Sequence, residues 1–587
     1  MHVIATAGHV DHGKSTLVRA LTGIEPDRWE EERRRGMTID LGFAWTTLPS
    51  GAELAFVDVP GHERFVTNML AGLGPVPAVM LVVAADSGWM PQTQEHVDAL
   101  DALGVEHGLV VVSRCDLADP VAVVADVRTR LALTGLAGAP LLLVSAVTGV
   151  GMSDLRHALD ALIARLPAPD VAAPIRLWVD RSFVIAGAGT VVTGTLSGGT
   201  LRVDDELSLN AGSTRVSVRG IHTLERPVKS VAPVARVALN LRGFDRRLIG
   251  RGDALTGVGP WSVTSVVDVL AAADLERLPR EAVVHIGSAA VPVRVRRLGG
   301  SVLRLSLARS LPLRVGDRAL LRDPGRHRIL TGLRVLDVDP STLRGAGAAV
   351  VRAAELAHES AVDRWSTELR RRRFIAVDDL PRLGLVAAGT PALPGWYVDP
   401  EVWVRLPVDA EAFVLDWVRD RPLQDGVPRA VLAQQLEVPA MSVLDAVIAR
   451  TALRNEGGRV AAHARQHLPS HVEEAVVALE ARWRISPFSA PDVPELRAMG
   501  LGPGELAAAE RAGRLVVLER DLVLAPRILD TAAEVLKGLP GTFTLSQARL
   551  ALGTSRRVAV PLLELMDRTG WTTRVTPELR KVVDRER

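Results

Sequence analysis

A glycine-rich segment near the start of the chain has the residue types that bind phosphate. Residues 8–15 read GHVDHGKS, which fits the pattern G-x-x-x-x-G-K-[ST]. The glycines let consecutive backbone N–H groups curl around a phosphate, and the helix predicted from Ser15 to Leu21 adds the positive end of its dipole. In such a loop Lys14 reaches the β- and γ-phosphates and the Ser15 hydroxyl binds Mg²⁺. The pattern therefore predicts a nucleotide site.

Two further segments have the side chains that complete such a site. Asp58 ends an apolar run in DVPGH (58–62), where an aspartate holds Mg²⁺ through water and the N–H of Gly61 approaches the γ-phosphate. Thr38 lies in GMTID (36–40) after a charged stretch, and we interpret this segment as a switch whose threonine completes the metal shell. The predicted metal ligands are Ser15, Thr38 and, through water, Asp58.

Alternating short apolar runs and helical patterns must position these motifs. Strands are predicted at 3–7, 43–48, 54–58, 79–85, 109–113 and 141–145, and helical periodicity follows Lys14, His62, Gln92, Pro120 and Ser153. This alternation is typical of an α/β fold. We predict that it forms one domain over residues 1–168.

The rest of the chain changes character twice. In 172–340 short runs rich in Val, Leu and Arg recur between Gly and Asp turns, which predicts two β-barrel domains, 172–256 and 257–340. From about 345 helices return, each group followed by a short β-like pair, as in tandem α+β winged-helix modules. We place these modules at 345–405, 406–468, 469–538 and 539–587. A plain helical array fits this pattern equally well.

Segments of the first domain resemble the GTPase domain of the translation factors of the elongation factor Tu group. They are 8–15, 35–42, 58–63 and 92–96. The resemblance implies a P-loop GTPase that binds GTP or GDP with Mg²⁺ and hydrolyses GTP when the ribosome stimulates it. It also implies that His62 orients the attacking water and that Val10 and Ile39 gate His62. The implied nucleotide-binding residues are Asp11, His12, Gly13, Lys14, Ser15, Thr16, Gly61, Ser113, Arg114, Asp116, Ser145 and Ala146.

The base-reading motif departs from the family pattern. Where Asn-Lys-x-Asp is usual, this chain has Ser113-Arg114-Cys115-Asp116. Asp116 keeps the carboxylate that accepts two guanine N–H bonds, and Arg114 can stack on the base in place of lysine. Because Ser113 is shorter than asparagine, we expect it to lose a contact that braces the pocket and to weaken nucleotide binding. Cys115 is interpreted as a packing residue.

Further segments resemble a narrower family, the bacterial selenocysteine-specific elongation factors. They are 22–28, 38–44, 180–183, 187–195, 236–240 and, as a last winged helix, 553–557 with 561–564. The resemblance implies a factor that carries selenocysteyl-tRNA to the ribosome at recoded UGA codons. It also implies a selenocysteyl pocket formed by Asp180, Arg181 and Arg236. Selenocysteine is anionic at neutral pH because a selenol is more acidic than a thiol, so fixed guanidinium charge favours it.

The same resemblance implies that the last winged helix binds a hairpin in the mRNA, the selenocysteine insertion element. Recognition of a hairpin loop needs cations for phosphates and side chains for unstacked bases. The candidate cations are Arg549, Arg556, Arg557, Arg574 and Lys581. Two other basic runs, Arg370–Arg373 and Arg33–Arg35, are interpreted as solvated faces.

Charge and composition fit this division. The chain holds 70 Lys and Arg against 68 Asp and Glu, but residues 1–168 hold 12 against 20 and residues 541–587 hold 9 against 5. A uniformly basic nucleic-acid coat is excluded, whereas the basic tail favours nucleic acid near the C-terminus.

One cysteine excludes an internal disulfide and a cysteine-based zinc site. With no signal peptide and no apolar run that could span a bilayer, we expect a cytoplasmic monomer that does not bind membranes.

Two other classes of function stay open on the sequence. Sulfate-activating GTPases share the same front half, so a GTPase partner of a metabolic enzyme is one alternative, although it needs no basic tail. Winged helices bind DNA as well as RNA, so a GTP-regulated DNA-binding protein is the other.

Overall fold

The computed structural model describes residues 1–26, 38, 40–62, 65–74, 76–259, 261–273, 278–326, 328–357, 361–421, 423–424, 426–462, 468–519 and 522–583. These residues form two compact units. One comprises 1–371 with 375–390, and the other 372–374 with 391–587. The predicted Ile39 gate and the arginines at 33–35 lie outside the described residues.

Residues 1–168 form the predicted α/β domain. Its elements are β1 (His2–Ala7), α1 (Lys14–Thr22), β2 (Gly42–Thr47), β3 (Glu53–Asp58), α2 (Val66–Leu73), β4 (Val79–Ala84), α3 (Pro91–Leu103), β5 (Gly108–Ser113), α4 (Val121–Leu131), β6 (Leu141–Leu143) and α5 (Met152–Arg165). The sheet order is β2-β3-β1-β4-β5-β6; β2 pairs antiparallel with β3 and the other pairs are parallel. Apolar cores cover both faces, as a parallel sheet requires.

The carboxyl ends of β1, β3 and β5 explain why the motifs meet. The phosphate loop follows β1, Asp58 ends β3 and Ser113 ends β5. In a parallel sheet these ends lie at one edge, where open α/β folds bind ligands. The predicted α/β fold of this domain is confirmed.

Residues 172–340 form two closed barrels. The first contains β7 (Arg176–Trp178), β8 (Arg181–Ile185), β9 (Gly189–Leu196), β10 (Leu201–Arg202), β11 (Glu206–Leu209), β12 (Arg215–Thr223), β13 (Arg226–Val228), β14 (Ser230–Val231), β15 (Ala235–Leu241), a 3₁₀ turn (Arg246–Leu248) and β16 (Ala254–Thr256). Its ring runs β11-β16-β7-β9-β15-β12 and closes through β11–β12. The second contains β17 (Ser262–Ala271), β18 (Glu281–Ile286), β19 (Ala289–Gly299), β20 (Val302–Leu313), β21 (Arg318–Asp323) and β22 (Arg328–Asp337), in the order β17-β20-β19-β18-β21-β22.

Helix α3 of the α/β domain packs on the second barrel. Gly332 of β22 lies so close to this helix that an added Cβ would come within 2.3 Å of the carbonyl oxygen of Ala102. Gly104 ends the helix with a φ of 66°, in the left-handed region that favours glycine, and lies against the guanidinium of Arg318. The first domain and the second barrel therefore meet backbone to backbone along α3.

Helices and short strands alternate after the second barrel. They are α6 (Ala348–Leu356), α7 (Ala361–Arg372), β23 (Phe374–Ala376), a 3₁₀ turn (Val377–Asp379), α8 (Leu380–Leu383), β24 (Trp396–Val398), α9 (Pro400–Asp420), β25 (Val427–Pro428), α10 (Arg429–Gln435), α11 (Met441–Ile448), β26 (Leu453–Glu456), β27 (Arg459–Ala462), α12 (Ser470–Ile485), α13 (Val493–Ala498), α14 (Pro503–Arg511), β28 (Val516–Glu519), β29 (Leu522–Leu524), α15 (Ile528–Lys537), β30 (Phe543–Thr544), α16 (Leu545–Ala551), α17 (Arg556–Arg568), β31 (Thr572–Arg574) and β32 (Leu579–Val582). In the second unit the strands pair as β25-β27-β26, β28-β29 and β30-β32-β31. Helices followed by a hairpin are winged helices rather than a plain helical array. Within the described residues no helix is long and apolar enough to cross a membrane.

Two predicted module boundaries separate residues that belong to one hydrophobic core. The boundary at 405/406 lies inside α9, whose buried Leu406 and Val414 belong to one core with α10 and α11. The boundary at 538/539 follows α15, yet Ile528 and Leu536 of this helix are buried in one core with Phe543 of the last module. Helical periodicity shows that a face is apolar but not which core it joins, and this is why the boundaries were misplaced.

One arginine that was interpreted as solvated is largely buried. Arg371 is 14% exposed and pairs with Asp337 at 3.2 Å and with Glu368. Arg352, which is 3% exposed, binds the same carboxylates at 2.6 and 3.1 Å. The cluster joins α6 and α7 to the second barrel. The interpretation of Arg371 was wrong because Asp337, one of its partners, is distant in sequence.

Candidate functional site

The phosphate loop curls around its own lysine. The loop leaves β1 at Ala7 and enters α1 at Lys14 after Gly13, whose φ of 80° lies in the left-handed region. The ammonium of Lys14 donates to the carbonyl oxygens of Gly8 at 3.0 Å and His9 at 2.7 Å, and the side chain is buried. The predicted residues Asp11 to Thr16 form this turn and the start of α1. The loop has the cationic centre that a phosphate needs.

Oxygen ligands of the kind that Mg²⁺ prefers converge beside the loop. The Ser15 hydroxyl donates to Oδ2 of Asp58 at 2.6 Å and lies 3.0 Å from Oγ1 of Thr38. The other carboxylate oxygen of Asp58 accepts from the Thr6 hydroxyl at 2.6 Å, and Asp58 is fully buried. The structure thus brings the three predicted metal ligands together in one hard-oxygen set, which fits Mg²⁺.

Gly61 and His62 follow directly. A Cβ added to Gly61 would lie 2.6 Å from the backbone nitrogen of Val10 and 2.7 Å from Nζ of Lys14, so the backbone approaches the phosphate loop as closely as the motif predicts. The ring of His62 lies 5.9 Å from that of Phe65, centre to centre. His62 thus directly follows the residue that lies against the phosphate loop.

Helix α3 holds the loop from the other side. The N–H of Gly8 donates to Nδ1 of His96, and the N–H of Val10 donates to Oε1 of Gln92, each at 3.1 Å. His96 is 2% exposed, and this burial lowers its pKa well below the ordinary value. The ring is thus neutral and can accept the bond. Sequence reasoning noted 92–96 as a motif but missed this contact, although the i, i+4 spacing places both side chains on one helix face.

The base-reading motif keeps a brace that the sequence suggested it had lost. The Ser113 hydroxyl donates to the carbonyl oxygen of His12 at 2.7 Å, so the shorter side chain still ties this motif to the phosphate loop. A bracing contact is therefore present where we expected a loss, while the weak nucleotide binding inferred from that loss stays a prediction. His12 itself is buried, which lowers the pKa of its ring to about 4 and keeps it neutral.

The remaining base-site residues surround this brace. Arg114 pairs with Asp86 at 3.1 Å while Asp116 is exposed. Oγ of Ser145 accepts from the N–H of Thr148 at 3.1 Å, and Ala146 follows. Cys115 donates to the carbonyl oxygen of Val112 at 3.1 Å, and burial raises the pKa of its thiol.

The three residues of the predicted selenocysteyl pocket are also brought together. Both terminal nitrogens of Arg236 donate to the carboxylate of Asp180, one of them at 2.8 Å, and Asp180 accepts from the Thr193 hydroxyl at 2.6 Å. The guanidinium of Arg236 lies 3.8 Å from the ring centre of Phe43, and that of Arg181 lies 5.3 Å from it. Phe43 belongs to β2 of the first domain, so the pocket is built at a domain junction.

A cavity of about 380 Å³ opens at this junction. Aromatic and apolar side chains of β2 and of the first barrel line it, together with Arg181 and Arg236. An apolar cavity with a few fixed polar groups is typical of a small-ligand site. The sequence named the arginines but missed Phe43, because nothing in residues 1–168 alone shows that β2 faces the barrel.

The four predicted hairpin-binding arginines differ in their surroundings. Arg557 donates to the carbonyl oxygens of Ala490 and Pro491 at 3.0 and 2.9 Å, and Arg574 pairs with Asp567 at 3.0 Å. Arg556 is exposed at the first position of α17, and Arg549 is half-buried in α16. Within the described residues, the Arg556 side chain makes no hydrogen bond or ion pair. Two of the four arginines are therefore already used to hold the protein together.

Comparisons with known proteins identify the family. Residues 1–165 match the elongation factor Tu GTP binding domain, and residues 534–578 match the winged helix of elongation factor SelB. The chain is 31% identical over 611 residues to the selenocysteine-specific elongation factor of Escherichia coli (strain K12), with 97% of each protein covered. The chain belongs to the selenocysteine-specific elongation factors. The elongation factor of the same description from Haemophilus influenzae is 38% identical over 349 residues, 57% of this chain and 55% of that one.

The fold of this elongation factor agrees with a solved relative over its full length. The crystal structure of a bacterial selenocysteine-specific elongation factor, EF-Sec, matches with a TM-score of 0.78 at 24% identity, covering 100% of both chains. Membership of the family makes the elongation factor a translational GTPase that binds guanine nucleotide. The metabolic partner and the DNA-binding regulator, the two alternatives left open by the sequence, gain no support from these matches.

Proposed function

We propose that this elongation factor carries selenocysteyl-tRNA to the ribosome at recoded UGA codons and binds the selenocysteine insertion hairpin of the mRNA. The observation that carries the first half is the convergence of Arg181 and Arg236, with Asp180, at the edge of the cavity beside Phe43. A guanidinium attracts the anionic selenolate but not the neutral serine hydroxyl, and it attracts cysteine weakly because a thiol of pKa about 8.5 is mostly protonated at pH 7.

The position of Arg236 is set before a ligand arrives. Its side chain is 12% exposed and that of Asp180 is 5% exposed, so water screens this pair only slightly. The carboxylate of Asp180 binds the guanidinium of Arg236 on one side and the ring of Phe43 lies on the other, which together fix the orientation of the guanidinium. Such preorganisation reduces the entropy cost of binding and sharpens the discrimination between charged and neutral side chains.

For the nucleotide, the residues present fit GTP with Mg²⁺. Lys14 and the loop N–H groups would hold the phosphates, Ser15, Thr38 and Asp58 would hold the metal, and Asp116 would read guanine. Bound Mg²⁺ supplies positive charge against the β- and γ-phosphates. His62 would orient the attacking water when the factor is on the ribosome.

For the mRNA, we propose that the last winged helix binds the hairpin through α17. Arg556 at the first position of this helix adds its charge to the positive end of the helix dipole, which favours phosphate. Arg549 and the exposed Lys581 would extend this cationic surface. Arg557 and Arg574 support it from behind, through Pro491 and Asp567.

The division of labour follows the domains. The domain at 1–168 binds and hydrolyses GTP, and the barrel at 172–256 holds the aminoacyl end of the tRNA. The barrel at 257–340 packs against α3 of the first domain. Because its partners are the ribosome, a tRNA and an mRNA, we propose that the factor acts in the cytoplasm, as a monomer.

The deciding experiment measures protection of the aminoacyl ester. Selenocysteyl-, seryl- and cysteinyl-tRNA are each incubated with the factor and GTP, and the rate of spontaneous deacylation is followed. We expect strong protection of selenocysteyl-tRNA alone, and loss of that protection in Arg236→Met, which removes the charge but keeps an apolar stem against Phe43. Equal protection of the three tRNAs by the wild-type protein would contradict the proposed function.

A further inference from the structure

The pocket arginines are not held by the barrel alone. Asp40 of the first domain lies between two arginines of the first barrel: its Oδ2 is 2.9 Å from Nε of Arg181 and its Oδ1 is 3.4 Å from Nη1 of Arg251. Arg181 also donates to the carbonyl oxygen of Leu41. Residues 40–43 of the first domain, which follow Thr38, therefore contact the guanidinium groups of the first barrel.

This arrangement has one carboxylate for two cations. Asp180 is matched by Arg236, whereas Asp40 serves both Arg181 and Arg251. Two guanidinium groups that touch the same carboxylate repel each other, and without the carboxylate they would move apart. The cluster of Asp40, Asp180, Arg181, Arg236 and Arg251 thus has three positive and two negative charges, one positive charge in excess.

Arg251 has hydrogen-bond donors to spare. Its Nε and Nη2 atoms are buried and have no hydrogen-bond partner among the described residues. Arg251 lines, with Asp40, Asp180 and Arg181, a second cavity of about 810 Å³. Buried donors without acceptors are costly, so the bond from Nη1 to Asp40 is the one side-chain hydrogen bond that Arg251 has among the described residues.

The path from this cluster to the nucleotide is short. Asp40 is two residues from Thr38, whose hydroxyl lies 3.0 Å from that of Ser15 in the proposed metal set. Fixing Thr38 at the metal restricts where the carboxylate of Asp40 can lie, because two residues of backbone span at most about 7 Å. The position of Thr38 at the nucleotide site therefore limits the position of Asp40 at the arginines of the proposed pocket.

We infer that Asp40 is a positioning residue that couples the nucleotide site to the selenolate pocket by holding Arg181 and Arg251 together. The inference rests on the proposed function, since it takes the ligand to be a selenolate. Coupling of this kind is reciprocal: a nucleotide that favours the Asp40 contact raises the affinity for selenocysteyl-tRNA, and selenocysteyl-tRNA raises the affinity for that nucleotide.

The test measures the dissociation constant of selenocysteyl-tRNA with a non-hydrolysable GTP analogue and with GDP, in full-length protein. We express the coupling as the dissociation constant with GDP divided by that with the GTP analogue. Asp40→Asn should reduce this ratio by about tenfold, within the usual range of coupling. Asp40→Glu should restore part of the ratio. Seryl-tRNA, which is neutral at the side chain, should bind Asp40→Asn as it binds the wild type, a result that a general loss of domain contact would not give.

Two controls separate the outcomes. Asp204→Asn removes a carboxylate of the same barrel that pairs with Arg242 on an exposed surface, and it should leave the ratio unchanged. Arg251→Gln removes the ion pair between Arg251 and Asp40, and it should lower the ratio as Asp40→Asn does. An unchanged ratio in both Asp40→Asn and Arg251→Gln, or an equal fall for seryl-tRNA, overturns the inference. Failure of the wild type to distinguish selenocysteyl- from seryl-tRNA would instead refute the proposed function.

Discussion

The backbone N–H of Gly8 donates to the imidazole of His96 across 3.1 Å, so a helix of the GTPase domain holds the first residue of the phosphate loop through a neutral histidine. Burial lowers the pKa of His96 well below its ordinary value, and burial lowers that of His12 to about 4. The ring of His96 must therefore stay unprotonated to accept the bond from Gly8.

This arrangement predicts a loss of local stability in mild acid. The unfolded histidine has a pKa of about 6.5, so the unfolded state binds more protons than the folded state below that value, and stability falls as pH falls through it. We expect the protection of residues 2–26 against hydrogen exchange, corrected for the intrinsic rate, to fall below pH 6.5. His96→Gln can still accept from Gly8 but does not titrate, and should show a slope shallower by up to about 1.4 kcal/mol per pH unit. Identical slopes would show that His96 is not the titrating group.

Ser113 should matter for nucleotide affinity through its bond to the phosphate loop. Ser113→Ala removes the donor to the carbonyl oxygen of His12, a buried contact worth about 1 kcal/mol. We expect the dissociation constant for GDP to rise about fivefold, measured by fluorescent-nucleotide displacement. Ser50→Ala, which removes an exposed hydroxyl that donates to Asp160, is the matched control and should change nothing. GDP affinity equal to that of the wild type would mean that the brace has no energetic role.

His62 is proposed to act on water rather than on the nucleotide. We expect His62→Ala to bind GTP normally and to lose most of its ribosome-stimulated hydrolysis, by about 10²- to 10⁴-fold in turnover. His157→Ala, an exposed histidine on α5, should hydrolyse GTP at the wild-type rate. Stimulated hydrolysis that survives in His62→Ala would assign the water to another group.

The two neighbouring arginines of α17 should separate into an RNA ligand and a structural contact. Arg556→Ala is expected to weaken hairpin binding and to reduce the slope of log affinity against log salt by about one, as loss of one phosphate contact does. Arg557→Ala removes bonds to the carbonyl oxygens of Ala490 and Pro491, and should lower the thermal midpoint of the C-terminal unit more than Arg556→Ala does. The opposite assignment of the two effects would contradict the geometry.

Much of the architecture was predictable because its signals are local. Runs such as 79–84 are apolar at every position, as a strand covered on both faces must be, and the phosphate loop has its own sequence pattern. What the sequence concealed depends on contacts between distant segments. Nothing near Ser113 shows that the carbonyl oxygen of His12 lies 2.7 Å away, and nothing near Arg371 shows Asp337. Phe43 and Asp40 join the proposed aminoacyl pocket only through the docking of two domains.

Helix α3 imposes a condition on a residue far from any phosphate. Its first turns hold Gly8 and Val10 through His96 and Gln92, while its last turn lies against Gly332. The helix is about 20 Å long. A methyl group at position 332 would push on the carbonyl oxygen of Ala102, in the same helix that holds the phosphate loop. The second barrel thus supports the helix that positions the nucleotide site, so the packing of Gly332 is a structural requirement of that site.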